Sequence, residues 1–145
     1  MACSQPLVNL ASPSRTDSKI TLDMYFAKNN AQNYPNDWKD IYYTNAADLL
    51  GRVNPLLEEI GATKPVVNSG WRPSSYNARI GGAPHSNHIT CKAVDLNDPF
   101  GGLKSLITAE LLEKHDLAME HPDATPGWCH LQTVLPASGR RIFKP

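Results

Sequence analysis

The chain has 145 residues, of which 41% are hydrophobic and 19% charged, and its formal net charge is zero. This is a one-domain length with enough apolar content to build its own core, so a single domain over residues 1–145 is expected and disorder is excluded. The charge balance offers nothing to nucleic acid or to an anionic membrane surface.

No apolar run approaches the ~20 residues that span a bilayer, so membrane insertion is not expected. The opening MACSQPLVNLASPSRTDSK lacks a basic start, and Pro6 and Asn9 break its apolar stretch. It does not read as a signal peptide, and synthesis in a cytoplasm is expected. Residues 1–20 read as an N-terminal arm. The cysteines Cys3, Cys91 and Cys129 form neither a disulfide framework nor a Cys-x-x-Cys zinc site, and reduced thiols are expected.

Along the chain, TNAADLLGRVNPLLEEIG has apolar residues at 49, 50, 53, 56, 57 and 60, which is helical spacing. Asn45 is the expected cap and Gly61 the expected stop. Pro55 should kink this helix or begin a new first turn. KPVVNSG reads as a short buried strand and PSSYNARI as a short helix with Pro73 near its start. IGGAPHSNHITC reads as a long loop and KAVDL as a strand. LKSLITAELLEKH reads as a helix with Leu103, Leu106, Ile107, Leu111 and Leu112 inward. LAME and WCHLQTV read as an antiparallel hairpin across the turn HPDATPG, with GRRIF as an edge strand. Helices come mostly early and short strands late, which predicts an α+β fold with a small antiparallel sheet packed against helices.

The segment SNHITCKAVD, Ser86 to Asp95, carries a histidine and an aspartate of metal-ligand type. On one helix His88 and Asp95 would lie about 10 Å apart along the axis. That is too far to share a zinc ion, whose ligands sit at ~2.0–2.2 Å. A loop that turns back into a strand can join them, and Gly81, Gly82, Pro84 and the short polar residues before His88 suit such a loop. In KAVDL, Ala93 and Asp95 share one face and Val94 and Leu96 the other. A carboxylate on a strand built for burial needs a partner.

His130, between apolar and aromatic neighbours in GWCHLQT, is the candidate third ligand. Two histidines and one carboxylate leave tetrahedral zinc one position for water, which is the catalytic pattern. That water needs a base. Glu120 ends the strand before the turn. If residue 120 pairs opposite 128 or 130, Glu120 and His130 share a face, with Met119, Cys129 and Leu131 on the other; a slip of one residue reverses this. Asp123, in the turn, is the second choice of base. Arg72, in NSGWRPSS, follows a short strand, and its guanidinium can clamp a carboxylate or polarise a carbonyl. His85 reads as solvated or as lying behind the ligands. Trp71 and Trp128 read as core or pocket wall.

The stretch SGWRPSSYNARIGGAPHSNHITCKAVDLND resembles the zinc D-alanyl-D-alanine peptidases, bacterial and phage cell-wall enzymes that share a fold with lysostaphin-type enzymes and the hedgehog signalling domain. The family pattern is Ser-Gly-aromatic-Arg with a following Asn, then Ser-x-His-x-x-Gly-x-Ala-x-Asp, then aromatic-x-His. Ser69, Gly70, Trp71, Arg72 and Asn77 match the first part, Ser86, His88, Ala93 and Asp95 the second, and Trp128 and His130 the third. The closing GWCHLQTVLPASGRRIFKP is similar to the ends of phage-type members, and the resemblance covers roughly residues 45–145.

The resemblance implies a zinc ion held by His88, Asp95 and His130, with Glu120 as the catalytic acidic residue. It implies that Arg72, Ser86 and Trp128 meet the substrate, a peptidoglycan peptide. The implied activity is that of a D,D-carboxypeptidase or an L,D- or D,D-endopeptidase, and a monomer is expected. An endolysin of phage type, made in the host cytoplasm and acting on the wall after release, fits the missing signal. Two positions depart from the pattern. The family glycine after His-x-x is Cys91, which would be strained at a positive φ and whose thiol could compete for metal. The acid that many relatives carry three residues before the last histidine is replaced by Gly127. The missing acid at 127 keeps open a second expectation, a non-catalytic wall-binding or virion module in which zinc only holds the fold.

Overall fold

The computed structural model describes residues 19–145; most of the expected N-terminal arm, and Cys3, lie outside the described residues. The first element, α1 (Leu22–Tyr25), is one turn capped by Thr21, whose Oγ1 accepts the Met24 N–H at 3.2 Å. The main helix, α2 (Ile41–Glu59), buries Tyr42, Ala46, Leu49, Leu50, Val53, Leu56 and Leu57. Their spacing of three and four residues makes one apolar stripe.

This helix departs from expectation at its start. It begins at Ile41 after Asp40, and Asn45 lies inside it. The Asn45 amide donates to the Thr90 carbonyl at 3.0 Å, so a residue of capping type instead ties the helix to the loop before the second strand. Pro55 lies within the helix and does not end it; it removes only the one hydrogen bond that its nitrogen would have donated. Gly61 follows the helix with φ +72°, as expected of a glycine stop.

Five strands build one sheet: β1 (Val67–Ser69), β2 (Ala93–Asn97), β3 (Ala118–Glu120), β4 (Trp128–Gln132) and β5 (Ile142–Phe143). Their order is β1-β2-β4-β3-β5. All neighbours are antiparallel except β3 and β5. The predicted hairpin is β3 and β4, joined through a 3-10 turn at Pro122–Ala124. A short helix, α3 (Ser74–Arg79), follows Pro73 as expected, and residues 80–92 form the expected long loop. The fold is α+β, as the order of elements predicts.

Two further expectations need correction. β1 is an edge strand with one neighbour, so it is only half-buried, and Val66 beside it is exposed. The helix predicted over LKSLITAELLEKH is two helices, α4 (Gly102–Leu106) and α5 (Ala109–Lys114). Thr108 breaks it: its backbone is extended and its hydroxyl caps the second helix by accepting the Leu111 N–H at 3.2 Å. Threonine competes for such a position better than it serves inside a helix. Leu106, at the break, is 54% exposed instead of inward, while Ile107 and Leu112 are buried. Among the described residues no helix is long and apolar enough to cross a membrane.

The sheet has two different faces. Val94 and Leu96 of β2, Met119 of β3, and Cys129 and Leu131 of β4 join the core with the α2 stripe. The alternate residues Asp95, Glu120 and His130 therefore lie on the opposite face. The register pairs Val94 with Leu131, Asp95 with His130 and Leu96 with Cys129.

Cys91, at the end of the long loop, has φ +61°. It is fully buried in the core with Tyr25, and burial pushes its thiol up to about 12. It is therefore a core residue in a strained conformation and does not join the metal-ligand cluster. Left-handed backbone costs a side-chain-bearing residue about 1 kcal/mol or more. Cys91→Gly should therefore be about 1 kcal/mol more stable than Cys91→Ala in urea denaturation, the reverse of the usual order of those residues. Equal stability would mean that φ at 91 carries no strain.

Candidate active site

Three elements converge on Asp95. The strand pairing sets His130 beside it, with Nδ1 2.8 Å from Oδ1. The loop brings His88, whose Nε2 lies 3.2 Å from Oδ2. From the segment just after β1, Arg72 donates Nη2 to the same Oδ2 at 3.2 Å. His88, Asp95 and His130 are all buried, and one potential ligand atom from each lies within 4.8 Å of the others.

The local chain explains the pose of His88. Its Nδ1 lies 2.8 Å from the Gly70 carbonyl, which can only accept, so Nδ1 carries the hydrogen and Nε2 is left as a lone pair. The neighbouring backbone holds this loop, since Arg72 N–H donates to the His88 carbonyl at 3.1 Å and His88 N–H to Ser86 Oγ at 3.2 Å. Gly70 must be glycine, because a Cβ there would lie 2.1 Å from the Tyr25 carbonyl oxygen. His88 Nε2 is buried without a hydrogen-bond partner; its contact with Asp95 lacks hydrogen-bond geometry. A buried lone pair aimed at a carboxylate and a second imidazole is what a divalent metal requires, and these three side chains fit one.

The electrostatics agree. Burial alone would raise the Asp95 pKa, but the hydrogen bond from His130 and the adjoining His88 ring outweigh it and hold the carboxyl below its ordinary value. Burial would lower the pKa of His130, but the hydrogen bond and charge of Asp95 outweigh it and raise the ring's value.

The cluster forms the floor of an open cleft of about 460 Å³. Arg72, His85, Ser86, Glu120 and Gln132 supply polar lining, and Ala83, Trp128, Val134, Pro136 and Phe143 supply an apolar wall. The hairpin pairs Ala118 with Gln132 and Met119 with Leu131, a register that continues to Glu120 opposite His130. Glu120 is half-buried, with Oε2 3.7 Å from His130 Nε2. Asp123 is exposed in the 3-10 turn, 3.7 Å from His121, and is not part of the cleft lining. Position 127 has φ +95°, a backbone that suits glycine, and its carbonyl accepts the Asp98 N–H at 2.9 Å. An acid is thus absent from 127, and Glu120 is the carboxylate nearest the metal-ligand cluster on this wall.

The Peptidase M15 family model matches residues 18–121. The chain belongs to the peptidase M15 family. No curated protein matches it. As an M15 peptidase it is a hydrolase of peptides, and its His-Asp-His cluster provides the donor set of a metallopeptidase. The matched region contains His88, Asp95, Arg72 and Glu120 but ends before β4, so His130 joins the cluster through strand pairing.

Several features of the site escaped the sequence reading. Gln132 lies two residues beyond His130 on the same strand face, and that spacing was its only signal. Val134, Pro136 and Phe143 reach the cleft through the chain's return to β5, which no local pattern marks. Behind the hairpin, Asp98 accepts the Leu103 and Lys104 N–H groups, both at 3.0 Å. The buried Lys104 amine donates to the carbonyl and hydroxyl of Thr125 and anchors the turn between Glu120 and His130. Of the expected substrate residues, Arg72, Ser86 and Trp128 all line the cleft, although Ser86 also holds the loop. Trp71 is core, with its indole N–H donating to the Ile89 carbonyl at 3.0 Å.

The shifted groups set a pH dependence. Asp95, with a lowered folded pKa, contributes stability above the ordinary carboxylate range and loses it as pH falls through the folded value. His130, with a raised folded pKa, contributes below its ordinary value and loses that contribution as pH rises through the folded one. The metal-free pair therefore stabilises most between about pH 4 and 6.5. Metal ligation requires the deprotonated ring. The rise in Tm on adding zinc to the metal-free protein should be larger at pH 8 than at pH 6 in thermal melts; an equal or smaller rise would contradict this electrostatic account.

Proposed function

We propose that the protein is a zinc peptidase that cleaves peptide bonds in peptidoglycan stem peptides or cross-links, acting as an endolysin of phage type. The observation that carries this reading is the buried, partnerless His88 Nε2 beside Asp95 and His130, at the floor of an open cleft with a carboxylate on its wall. Membership of the M15 family supports the peptidase activity. The choice of peptidoglycan and of a lytic role rests on the resemblance of the sequence motifs.

In this reading His88 Nε2, Asp95 and His130 hold the zinc. A bound zinc ion there supplies Lewis acidity, which acidifies a water and polarises a peptide carbonyl. Glu120 removes a proton from the attacking water and delivers it to the leaving amine. Arg72 is well placed for the substrate. Its Nε donates to Ser69 Oγ at 2.9 Å and its Nη2 to Asp95, which fixes the guanidinium plane. Among the described residues its Nη1 makes no hydrogen bond, so it remains available to a peptide carbonyl or carboxylate. The apolar wall of Trp128, Val134, Pro136 and Phe143 excludes water from one side of the bound peptide.

Glu120→Gln removes the base but not a ligand. It should lower kcat at least about a hundredfold while zinc content, read by atomic absorption, stays at the wild-type level; full retained activity would exclude Glu120 as the base. Mass spectrometry of soluble products from purified peptidoglycan, with chelator and with zinc restored, tests the function itself. Zinc-dependent release of stem-peptide fragments is expected, and the fragment masses name the bond. No products across several wall types, with zinc content confirmed, would overturn the peptidase reading in favour of a zinc-stabilised wall-binding or virion module.

A further inference from the structure

Gln132 sits on β4 two residues after His130, on the same face, and is 5% exposed. Its amide is held at both ends. Gln132 Nε2 donates to the Val134 carbonyl at 2.6 Å, and Oε1 lies 2.8 Å from His130 Nε2. A backbone carbonyl can only accept, so the amide nitrogen must face Val134 and the amide oxygen must face the imidazole. The usual ambiguity of an amide flip is therefore removed. An amide oxygen in turn can only accept, so His130 Nε2 must carry a hydrogen.

This has a consequence for the metal centre. With Nε2 turned to Gln132, the nitrogen left to meet a metal is Nδ1, which without metal hydrogen-bonds Asp95 Oδ1 at 2.8 Å. His88 is set the opposite way, with the Gly70 carbonyl holding its Nδ1 and leaving Nε2 toward the same carboxylate. The two imidazoles thus converge through different nitrogens, each chosen by an acceptor on its far side. Glu120 is the other acceptor near His130 Nε2, but at 3.7 Å against 2.8 Å for Gln132. Because Gln132 takes this hydrogen, the Glu120 carboxylate is not consumed in orienting the ring.

Building on the zinc-peptidase reading, we propose that Gln132 is a positioning residue that fixes His130 with its hydrogen on Nε2, presents Nδ1 to the metal and leaves Glu120 free as the base. The variants are Gln132→Met, which keeps the length and removes the acceptor, and Gln132→Glu, which restores an acceptor. Zinc affinity is measured by competition with a chromophoric chelator, and the His130 ring nitrogens by NMR on the zinc-loaded, ¹⁵N-histidine-labelled chain. In the wild type the metal is expected on Nδ1, with a slowly exchanging Nε2–H. Gln132→Met should weaken zinc binding about 10–100-fold and speed exchange of that hydrogen, and Gln132→Glu should recover both. A merely structural role would lower the Tm of both variants and leave zinc affinity unchanged.

Wild-type affinity in Gln132→Met, or Gln132→Glu as weak as Gln132→Met, overturns the proposal. So does metal on Nε2 in the wild type, a result that needs no variant to fold. A wild-type chain that binds no zinc removes the zinc-peptidase reading together with this one, whereas an unaffected Gln132→Met in a zinc-binding wild type removes this one alone.

Discussion

Asp95 is a buried carboxylate on a strand in which Ala93, Val94 and Leu96 are buried too, and the rest of the site follows from the need to neutralise it there. A buried carboxylate without partners would be protonated or would unfold the strand. Here it is surrounded from three directions: His130 from the paired strand, His88 from the long loop, and Arg72 from the segment after the edge strand. The same convergence brings two imidazole nitrogens and a carboxylate close enough to share one cation. Without metal, His88 Nε2 lacks a partner, and a bound metal would supply it.

The convergence depends on parts that carry no chemistry. Leu96 and Cys129, and Val94 and Leu131, pair on the reverse of the sheet and pack with the α2 stripe, which holds β2 and β4 in the register that sets Asp95 opposite His130. Gly70 lets Tyr25 approach so that its own carbonyl can orient His88. The Tyr25 hydroxyl donates to the Ala93 carbonyl at 2.7 Å and ties the same region to the start of β2. Asp98 and Lys104 pin the turn that carries the chain from Glu120 to His130. These contacts come from helix ends and loops far apart in the sequence, so a change in any of them reaches the metal ligands through the backbone.

Cys91 and Gly127 show how the chain accommodates its departures from the family pattern. At 91 the backbone keeps the left-handed conformation that a glycine would adopt freely, and the thiol is absorbed into the core away from the ligands. At 127 the conformation suits glycine, and a carboxylate instead reaches the cleft from the neighbouring strand, where the hairpin register turns Glu120 toward His130.

The sequence by itself determined the α+β class, the main helix, the hairpin, the loop before β2, and the residues His88, Asp95, His130, Arg72 and Glu120 as candidates. These are legible because strand alternation, helical spacing and turn chemistry are local, and because ligand-type residues in a loop and on a buried strand are few. It misjudged Asn45, Leu106 and the exposure of β1, since side-chain hydrogen bonds to distant carbonyls and the number of strand neighbours are not local properties. Only the tertiary structure decided which face of each strand looks into the cleft, that Glu120 and not Asp123 lies on its wall, and that Gln132 and the Gly70 carbonyl hold the two imidazoles in opposite senses. The reason is physical: a strand's alternation fixes which residues share a face, but pairing and packing across the whole chain fix which face is buried, and hydrogen bonds between remote segments fix the direction of each ring.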